Sequence, residues 1–288
     1  MLHSTPDHCA GLRSHPFARD CGARWRSLLA PRRARRSDAR DSLLGYRGRM
    51  CGRYASTRSA IDLSTLFDAL DETDDALVVD YNVAPTDPVP IIRHTARVTD
   101  RVLSVARWGL VPPWSADASG AARMINARAE TIATSRAFAR SFAERRCLVP
   151  ADGWYEWKRN GGAKQPYFMT RTDEASLAFG GIWSTWSSPS GRLLTFSIVT
   201  LPAAGHLAEV HDRMPLVIEP AGWAAWLDGA DATGLLTPPT AEYAAGILLR
   251  PVSPAVGDVR NDGPHLVREV VPAPAASSIV DTGEPTLF

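Results

Sequence analysis

Short segments with the composition of β-strands recur along this chain, and they do not alternate regularly with helices. Strands are predicted at 89–93, 101–110 and 193–200, where β-branched and aromatic residues dominate. The turn sequence Asn160-Gly161-Gly162 predicts a hairpin between two further strands. Because a regular strand–helix–strand rhythm is missing, a parallel α/β sheet is excluded. The sequence predicts an α+β fold: a mostly antiparallel β-sheet or open barrel with inserted helices.

Three segments have helical spacing. Residues 61–70 would place Leu63, Leu66, Phe67 and Leu70 on one buried face. The segment 134–146 carries two phenylalanines four residues apart, and 220–229 begins with proline and ends with glycine. These helices are inserted irregularly between the predicted strands.

Composition excludes several classes of protein. Of the 288 residues, 45% are hydrophobic and 22% charged, as in an ordinary globular protein. The longest apolar runs are too short for a membrane-spanning helix. Four cysteines (Cys9, Cys21, Cys51 and Cys147) lack the spacing of a zinc site, and the chain lacks a secretory pattern. We therefore expect no metal site, no disulfide framework and a reducing cytoplasmic location.

The charge is divided unevenly along the chain. Residues 1–49 contain 11 arginines, four aspartates and no lysine, whereas the remaining residues contain 21 basic and 27 acidic side chains. The first 49 residues read as a disordered extension. They could be a basic nucleic-acid arm, a transit peptide or translated upstream sequence, and we favour the last. We predict one domain over 50–270 and a C-terminal tail over 271–288. The acidic domain would need a local arginine cluster to bind nucleic acid.

Met50 and Cys51 suggest an unusual nucleophile. If translation starts at Met50, removal of the methionine leaves Cys51 with a free α-amine beside its thiol. An α-amine has a pKa of about 7.7–8.0, so much of it is neutral at physiological pH. Such a 1,2-aminothiol condenses with an aldehyde to an imine, and the thiol then closes a thiazolidine ring. A Met-Cys pair alone is also compatible with a small buried cysteine.

Five further segments are rich in residues that carry chemistry. They are YNVAPTDPVP (81–90) with Asn82, RWGLVPPW (107–114) with Trp108 and Trp114, MINARAET (124–131) with Asn126 and Arg128, PADGWYEWK (150–158) with Glu156, and EVHDRMPLVI (209–218) with His211. Five of these residues also have an ordinary interpretation. Glu156 could be a surface carboxylate, His211 a structural histidine, Asn126 a turn residue, and the tryptophans core.

Together, in this order, the segments from Cys51 to Leu266 resemble the SRAP family, the SOS-response-associated peptidases or abasic-site processing proteins of bacteria and eukaryotes. The resemblance implies the SRAP fold, catalytic roles for Cys51, Asn126, Glu156 and His211, and no cofactor. It implies that Arg53, Asn82 and Arg128 line a DNA-binding groove or hold the site together. It also implies that Trp108 and Trp114 form an aromatic wall beside the DNA.

The resemblance further implies a function. The expected partner is single-stranded DNA with an abasic site. The protein would form a covalent crosslink with this site and so shield it in the SOS response to DNA damage. We expect it to act as a monomer that is associated with the nucleoid. His211 and Glu156 would help open the sugar, in a lyase-like imine chemistry, and the crosslink would prevent strand cleavage by β-elimination. The family is also credited with autoproteolysis that exposes the cysteine or releases the crosslink.

Two rival functions use the same residues. A peptidase would use Cys51 as its nucleophile with His211 and Glu156 as helpers. A non-covalent single-stranded DNA-binding protein would not need Cys51. The chain also departs from the family, because 49 residues precede the cysteine that should be the terminus. We expect that translation starts at Met50 or that the chain is cut between Met50 and Cys51.

Overall fold

The computed structural model describes residues 52–95, 98–160, 163–189 and 191–272. The extension, Met50, Cys51 and most of the predicted C-terminal tail lie outside these ranges. The described strands are β1 Tyr54–Ser56, β2 Ala69–Asp71, β3 Asp80–Val83, β4 Pro88–Thr95, β5 Val98–Trp108, β6 Asn126–Arg128, β7 Arg146–Ala151, β8 Gly153–Asn160, β9 Ala163–Arg171, β10 Leu177–Ser188, β11 Gly191–Pro202, β12 Arg213–Pro215 and β13 Ile247–Pro251. The α-helices are α1 Ala60–Phe67, α2 Ala139–Glu144, α3 Trp223–Asp228 and α4 Ala241–Ala245. Short 3-10 turns cover Ser119–Arg123, Gly205–Glu209, Pro220–Gly222, Thr233–Leu235, Pro254–Gly257 and Pro264–Val267.

Five strands close into a barrel. Antiparallel pairs join β5 to β4, β4 to β7, β7 to β10 and β10 to β11. A short parallel pair between β11 and β5, with Phe196 opposite Trp108, completes the ring. The predicted α+β class and mostly antiparallel pairing are confirmed. The sequence did not indicate the parallel pair, which joins residues far apart in the chain.

A second sheet packs against the barrel in the order β13, β9, β8, β1 and β3. Its two central strands supply Tyr54 and Trp154, which are both buried. The Tyr54 ring lies 5.2 Å from the Trp108 ring, and the Trp154 ring lies 5.9 Å from Phe179, both edge to face. This geometry is favourable for aromatic pairs, so the two sheets share one aromatic core.

Helix α1 is shorter than the helix predicted over 61–70. It ends at Phe67, because Asp68 adopts the left-handed conformation with φ 49° and the next residues pair with β5 as strand β2. Leu66 and Leu70, which the spacing places on the buried face, are consequently about half exposed. The prediction is correct for the start of this helix and wrong for its end.

The other two helix predictions differ in outcome. The segment 134–146 forms turns and then only the six residues of α2, whereas 220–229 forms a 3-10 turn followed by α3, as predicted. The hairpin prediction is supported by the pairing of Asn160 with Ala163. No helix in the described ranges is long and apolar enough to cross a membrane.

Candidate active site

The first strand enters the second sheet beside a buried carboxyl group. Tyr54 pairs with Trp154, and the backbone N–H of Tyr155 donates to the Arg53 carbonyl at 3.0 Å. Continuing this antiparallel register places Gly52 opposite Glu156. Glu156 is only 3% exposed, on the same strand face as Trp154 because alternate residues share a face. The interpretation of Glu156 as a surface carboxylate is therefore wrong.

Arg53 and Asn82 belong to one hydrogen-bond network. Arg53 Nη1 donates to Asn82 Oδ1 at 2.7 Å and to the Val256 carbonyl at 2.9 Å. Asn82 Nδ2 donates to the carbonyls of Asp258 and Asn261 at 3.0 and 2.9 Å. The network ties β1 and β3 to the segment that follows β13. Asn82 is fully buried, so of its two predicted roles, lining a DNA-binding groove or holding the site together, these contacts favour the second.

Three other predicted residues gather around the end of β11. Strand β6 pairs with it in parallel, so that Asn126 lies opposite Ile198 and Arg128 opposite Thr200. Strand β12 pairs with the other edge at Thr200, and His211 lies just before β12. Arg128 is exposed and Asn126 is half-buried. Residues from two distant motifs, near 126 and near 211, therefore flank one strand.

Arg213 links these two edges. Its Nη2 donates to Glu130 Oε2 at 3.0 Å and to the Thr200 carbonyl at 2.7 Å. The hydrogen bond from Arg213, the largest cause, holds the pKa of the Glu130 carboxyl below its usual value. The sequence reasoning did not place Arg213 or Glu130 in the site. Their opposite charges, in two motifs already singled out, were a signal that could have found them.

His211 has two polar neighbours at the same ring nitrogen. Nδ1 lies 3.1 Å from the backbone N–H of Arg213 and 2.9 Å from a carboxylate oxygen of Asp212. An unprotonated Nδ1 can accept from the N–H, and a protonated one can donate to the carboxylate. The side chain is 27% exposed. Nδ1 can therefore be an acceptor in one tautomer of the ring and a donor in the other.

The two predicted aromatic-wall residues have opposite environments. Trp108 is fully buried, and its indole N–H donates to the Ile125 carbonyl at 2.9 Å. The prediction that Trp108 stacks beside DNA is therefore wrong. Its ring contacts Tyr54 and its indole holds the residue before Asn126, so it connects the two parts of the site. Trp114 is 61% exposed, with the Arg136 guanidinium 5.0 Å from its ring centroid.

No group of three or more His, Cys, Asp or Glu side chains among the described residues could hold a metal ion. Cys147 is fully buried, and this burial strongly raises the pKa of its thiol. A thiol in such surroundings stays protonated and is a poor nucleophile. Cys147 is therefore a core residue.

Comparison with known proteins identifies the family. A sequence profile described as "SOS response associated peptidase (SRAP)" matches residues 50–259. The chain belongs to the SRAP family. The network around Asn82 extends slightly beyond this SRAP match, because the carbonyl of Asn261 is one of its acceptors.

Several relatives of this SRAP chain are named abasic site processing proteins. It is 33% identical to "Abasic site processing protein YedK" of Escherichia coli over 239 residues, which cover 77% of this chain and 100% of the relative. It is 35% identical over 192 residues to "Abasic site processing protein YoaM" of Bacillus subtilis, covering 62% of this chain and 79% of the relative. Chicken "Abasic site processing protein HMCES" is 31% identical over 216 residues, which cover 64% of each chain.

Solved structures share the SRAP fold. A protein from Bacteroides thetaiotaomicron matches with a TM-score of 0.68 and 24% identity, covering 77% of this chain and 100% of that structure. A phage-related protein from Bordetella bronchiseptica matches with a TM-score of 0.53 and 29% identity, covering 70% and 94% respectively. The arrangement of two sheets therefore occurs in solved proteins.

Proposed function

We propose that this protein captures abasic sites in single-stranded DNA by forming a thiazolidine between Cys51 and the ring-opened sugar. Membership of the SRAP family supports abasic-site processing, since relatives from bacteria and a vertebrate carry that name. The covalent capture, the single-stranded substrate and the residue roles go beyond that name and are proposed. They rest on the contacts described above.

The single observation that carries the proposal is the position of Glu156. Cys51 is joined to Gly52, and the register of Tyr54 with Trp154, extended by two residues, would bring Gly52 opposite the buried Glu156. Consecutive Cα atoms are about 3.8 Å apart, and we propose that the amine and thiol of Cys51 reach this carboxyl. We propose that Glu156 acts as the general acid that donates a proton to the leaving hydroxyl.

The proposed reaction has two bond-forming steps. The Cys51 amine adds to the aldehyde carbon, and Glu156 donates the proton that leaves with the hydroxyl as water. The nitrogen then returns its remaining proton to the Glu156 carboxylate, which gives the neutral imine. The thiol then adds to the imine carbon and its proton goes to the nitrogen. The overall change is the loss of one water, with no redox step.

The surrounding residues would prepare the substrate. His211 would exchange the proton needed to open the sugar hemiacetal, and Asn126 would orient the reacting groups. Trp114 offers an exposed ring on which a base can stack, and Arg128 offers an exposed positive charge for a phosphate. Base stacking tolerates any sequence, which suits a protein that meets damage at any position.

The chemistry requires a free α-amine on Cys51. We propose that the active form begins at Cys51, either because translation starts at Met50 or because the bond between Met50 and Cys51 is cleaved. Intact mass spectrometry of the protein from its native host tests this requirement. A mature protein that keeps all 288 residues and still traps abasic DNA would overturn the mechanism.

Trapping on a denaturing gel separates the three candidate functions. A chain that starts at Met50 is expected to retain abasic single-stranded DNA, and the Cys51→Ala variant is expected to bind that DNA without retaining it. The matched control, Cys147→Ala, alters the buried thiol and should trap normally. Unchanged DNA protection by Cys51→Ala would favour a non-covalent binder. Cysteine-dependent peptide cleavage without DNA capture would favour the peptidase.

A further inference from the structure

A groove of about 310 Å³ lies between helix α2 and the hairpin of β10 and β11. Trp183, Thr185 and Ser187 line it from β10, and their alternate spacing places them on one face of the strand. Arg192, directly opposite Ser187 in β11, also lines it. The groove therefore has an indole and two hydroxyl groups on one side. We name it the Trp183 groove.

Arginines surround the Trp183 groove. Arg140 and Arg145 line it from α2 and the residue that ends this helix. The guanidinium of Arg145 lies 5.5 Å from the Trp183 ring centroid, and that of Arg93 lies 5.0 Å from it. Guanidinium groups at such distances from an indole are held in place by cation–π attraction. The positive charges are therefore held around one ring.

This cluster has more positive than negative charge. Arg140 pairs with Glu144 at 3.2 Å and Arg93 with Glu72 at 3.7 Å. Among the residues that the structure describes, Arg145 and Arg192 form no ion pair with a carboxylate. Burial is the main cause that lowers the pKa of Arg93; Glu72 and Cys147 raise this pKa, and the charge of Arg192 makes the smallest contribution, which lowers it. Like charges thus converge where an anion would reduce their repulsion.

The ligand chemistry follows from these groups. Guanidinium groups with neighbouring hydroxyls are typical donors to phosphate oxygens in protein–DNA interfaces. The domain after Met50 contains more acidic than basic residues, so its overall charge cannot attract DNA. A local arginine cluster is what such a domain needs in order to bind a polyanion.

The groove continues toward the exposed Trp114. Pro113, the neighbour of Trp114, also lines the groove, and the Trp186 indole anchors this loop by donating to the Ser115 carbonyl at 2.8 Å. Arg136, which lies over Trp114, precedes Arg140 by four residues. The backbone turns at this point, because the N–H of Ala139 donates to the Ser135 carbonyl at 2.8 Å, so the two arginines belong to one turning segment. Trp114 and the groove therefore form one band.

We propose that the Trp183 groove binds backbone phosphates of the DNA strand that flanks the abasic nucleotide. This inference rests on the proposed function, because it assigns the same DNA to a second contact region. Arg145 and Arg192 would be the principal phosphate ligands. Trp183 would hold the guanidinium of Arg145 rather than meet a base.

Non-covalent binding tests the inference independently of crosslinking. The double variant Arg145→Gln/Arg192→Gln is made in the Cys51→Ala chain, and its affinity for an undamaged single-stranded oligonucleotide is measured across salt concentrations. We expect about tenfold weaker binding at low salt, and a slope of log affinity against log salt that is shallower by about 1.4, or about 0.7 for each lost phosphate contact. Arg159→Gln, which removes an exposed arginine on β8, is the matched control and should bind normally.

Two further variants separate charge from structure. Arg145→Lys/Arg192→Lys keeps both charges and should restore most of the salt slope, while thermal melting checks that each variant is folded. The oligonucleotide is also shortened from its 5′ end or from its 3′ end. Shortening from one of the two ends should remove the loss of affinity that the glutamine substitutions cause, whereas shortening from the other end should not. Unchanged affinity and salt slope in the folded glutamine variant would overturn the proposal.

The remaining outcomes distinguish the source of the phosphate and the two proposals. Inorganic phosphate is added as a competitor of the labelled oligonucleotide and compared with unlabelled oligonucleotide at the same concentration of phosphate groups. If both compete equally well, the groove binds a free anion, and its assignment to DNA is overturned. If the protein does not trap abasic DNA covalently but the glutamine substitutions still weaken its non-covalent binding, only the Cys51 mechanism is contradicted. If the protein traps abasic DNA normally but the glutamine substitutions leave non-covalent binding unchanged, only the role proposed for the Trp183 groove is contradicted.

Discussion

The Arg53 guanidinium donates a hydrogen bond of 2.7 Å to the side-chain oxygen of Asn82, which has no exposed surface. The Asn82 amide then donates to carbonyls of the segment after β13. Arg53 lies two residues after Cys51. The buried amide thus connects the beginning of the domain to a residue 176 positions later, and it holds the segment that follows Cys51.

Asn82→Ala should disrupt both ends of this connection. It leaves the Arg53 donor and several buried carbonyls without the Asn82 side chain, so we expect unfolding to become easier by about 2–4 kcal/mol. Urea denaturation measures the change. Arg260→Ala removes an exposed ion pair with Asp258 and should change stability by less than about 0.5 kcal/mol. Equal effects of the two substitutions would contradict a structural role for Asn82.

Glu156→Gln should slow DNA capture without preventing folding. Glutamine has nearly the same shape but cannot donate the proton required for loss of water, so we expect capture to be on the order of 10²–10⁴-fold slower. Single-turnover trapping with abasic DNA measures this rate. Glu174→Gln, at an exposed turn residue, is the control. A normal rate for Glu156→Gln would remove this carboxyl from the mechanism.

The two tryptophans of the 107–114 motif should respond in opposite ways. Trp108→Ala opens a cavity in the core and should cost about 3–5 kcal/mol of stability. Trp114→Ala should leave the melting temperature nearly unchanged but weaken single-stranded DNA binding by about 1–3 kcal/mol. Calorimetry and binding titrations measure the two effects. Unchanged stability of Trp108→Ala would contradict a core role for Trp108. Normal DNA binding by Trp114→Ala would contradict stacking of a base on Trp114.

The ion pair of Glu130 and Arg213 predicts a pH dependence of stability. The Arg213 hydrogen bond lowers the pKa of Glu130 from its ordinary value of 4.5, so the native state favours the ionised carboxylate. The pair therefore stabilises the fold above this pH, and the contribution is lost as the pH falls through the lowered pKa. Glu130 is 46% exposed, so solvent screening should limit the contribution to below about 1 kcal/mol.

Glu130→Gln should reveal this dependence in urea denaturation from about pH 7 to about pH 3. The difference in stability between the native protein and the variant should be present at neutral pH and shrink in acid. Glu209→Gln, at an exposed position, should show a difference that does not vary with pH. A difference for Glu130→Gln that grows in acid would contradict the sign of the pKa shift.

Local sequence determined the identities and order of the motifs, and with them the class of chemistry. Turn residues between 160 and 163 and the proline before α3 were sufficient for a hairpin and a short helix, because their backbone preferences act over a few residues. The alternation of residues along β8 left open which face Glu156 occupies. Local preference also failed at Asp68, where pairing with β5 ended α1 early.

Tertiary structure decided which of the candidate side chains are exposed. Trp108 and Trp114 belong to one short motif, yet the pairing of β5 with β11 buries the first and leaves the second in a surface loop. The Trp183 groove likewise exists only because α2 lies beside β10. Burial depends on contacts between residues that are distant in sequence. A short motif therefore does not indicate which of its side chains other parts of the chain will cover.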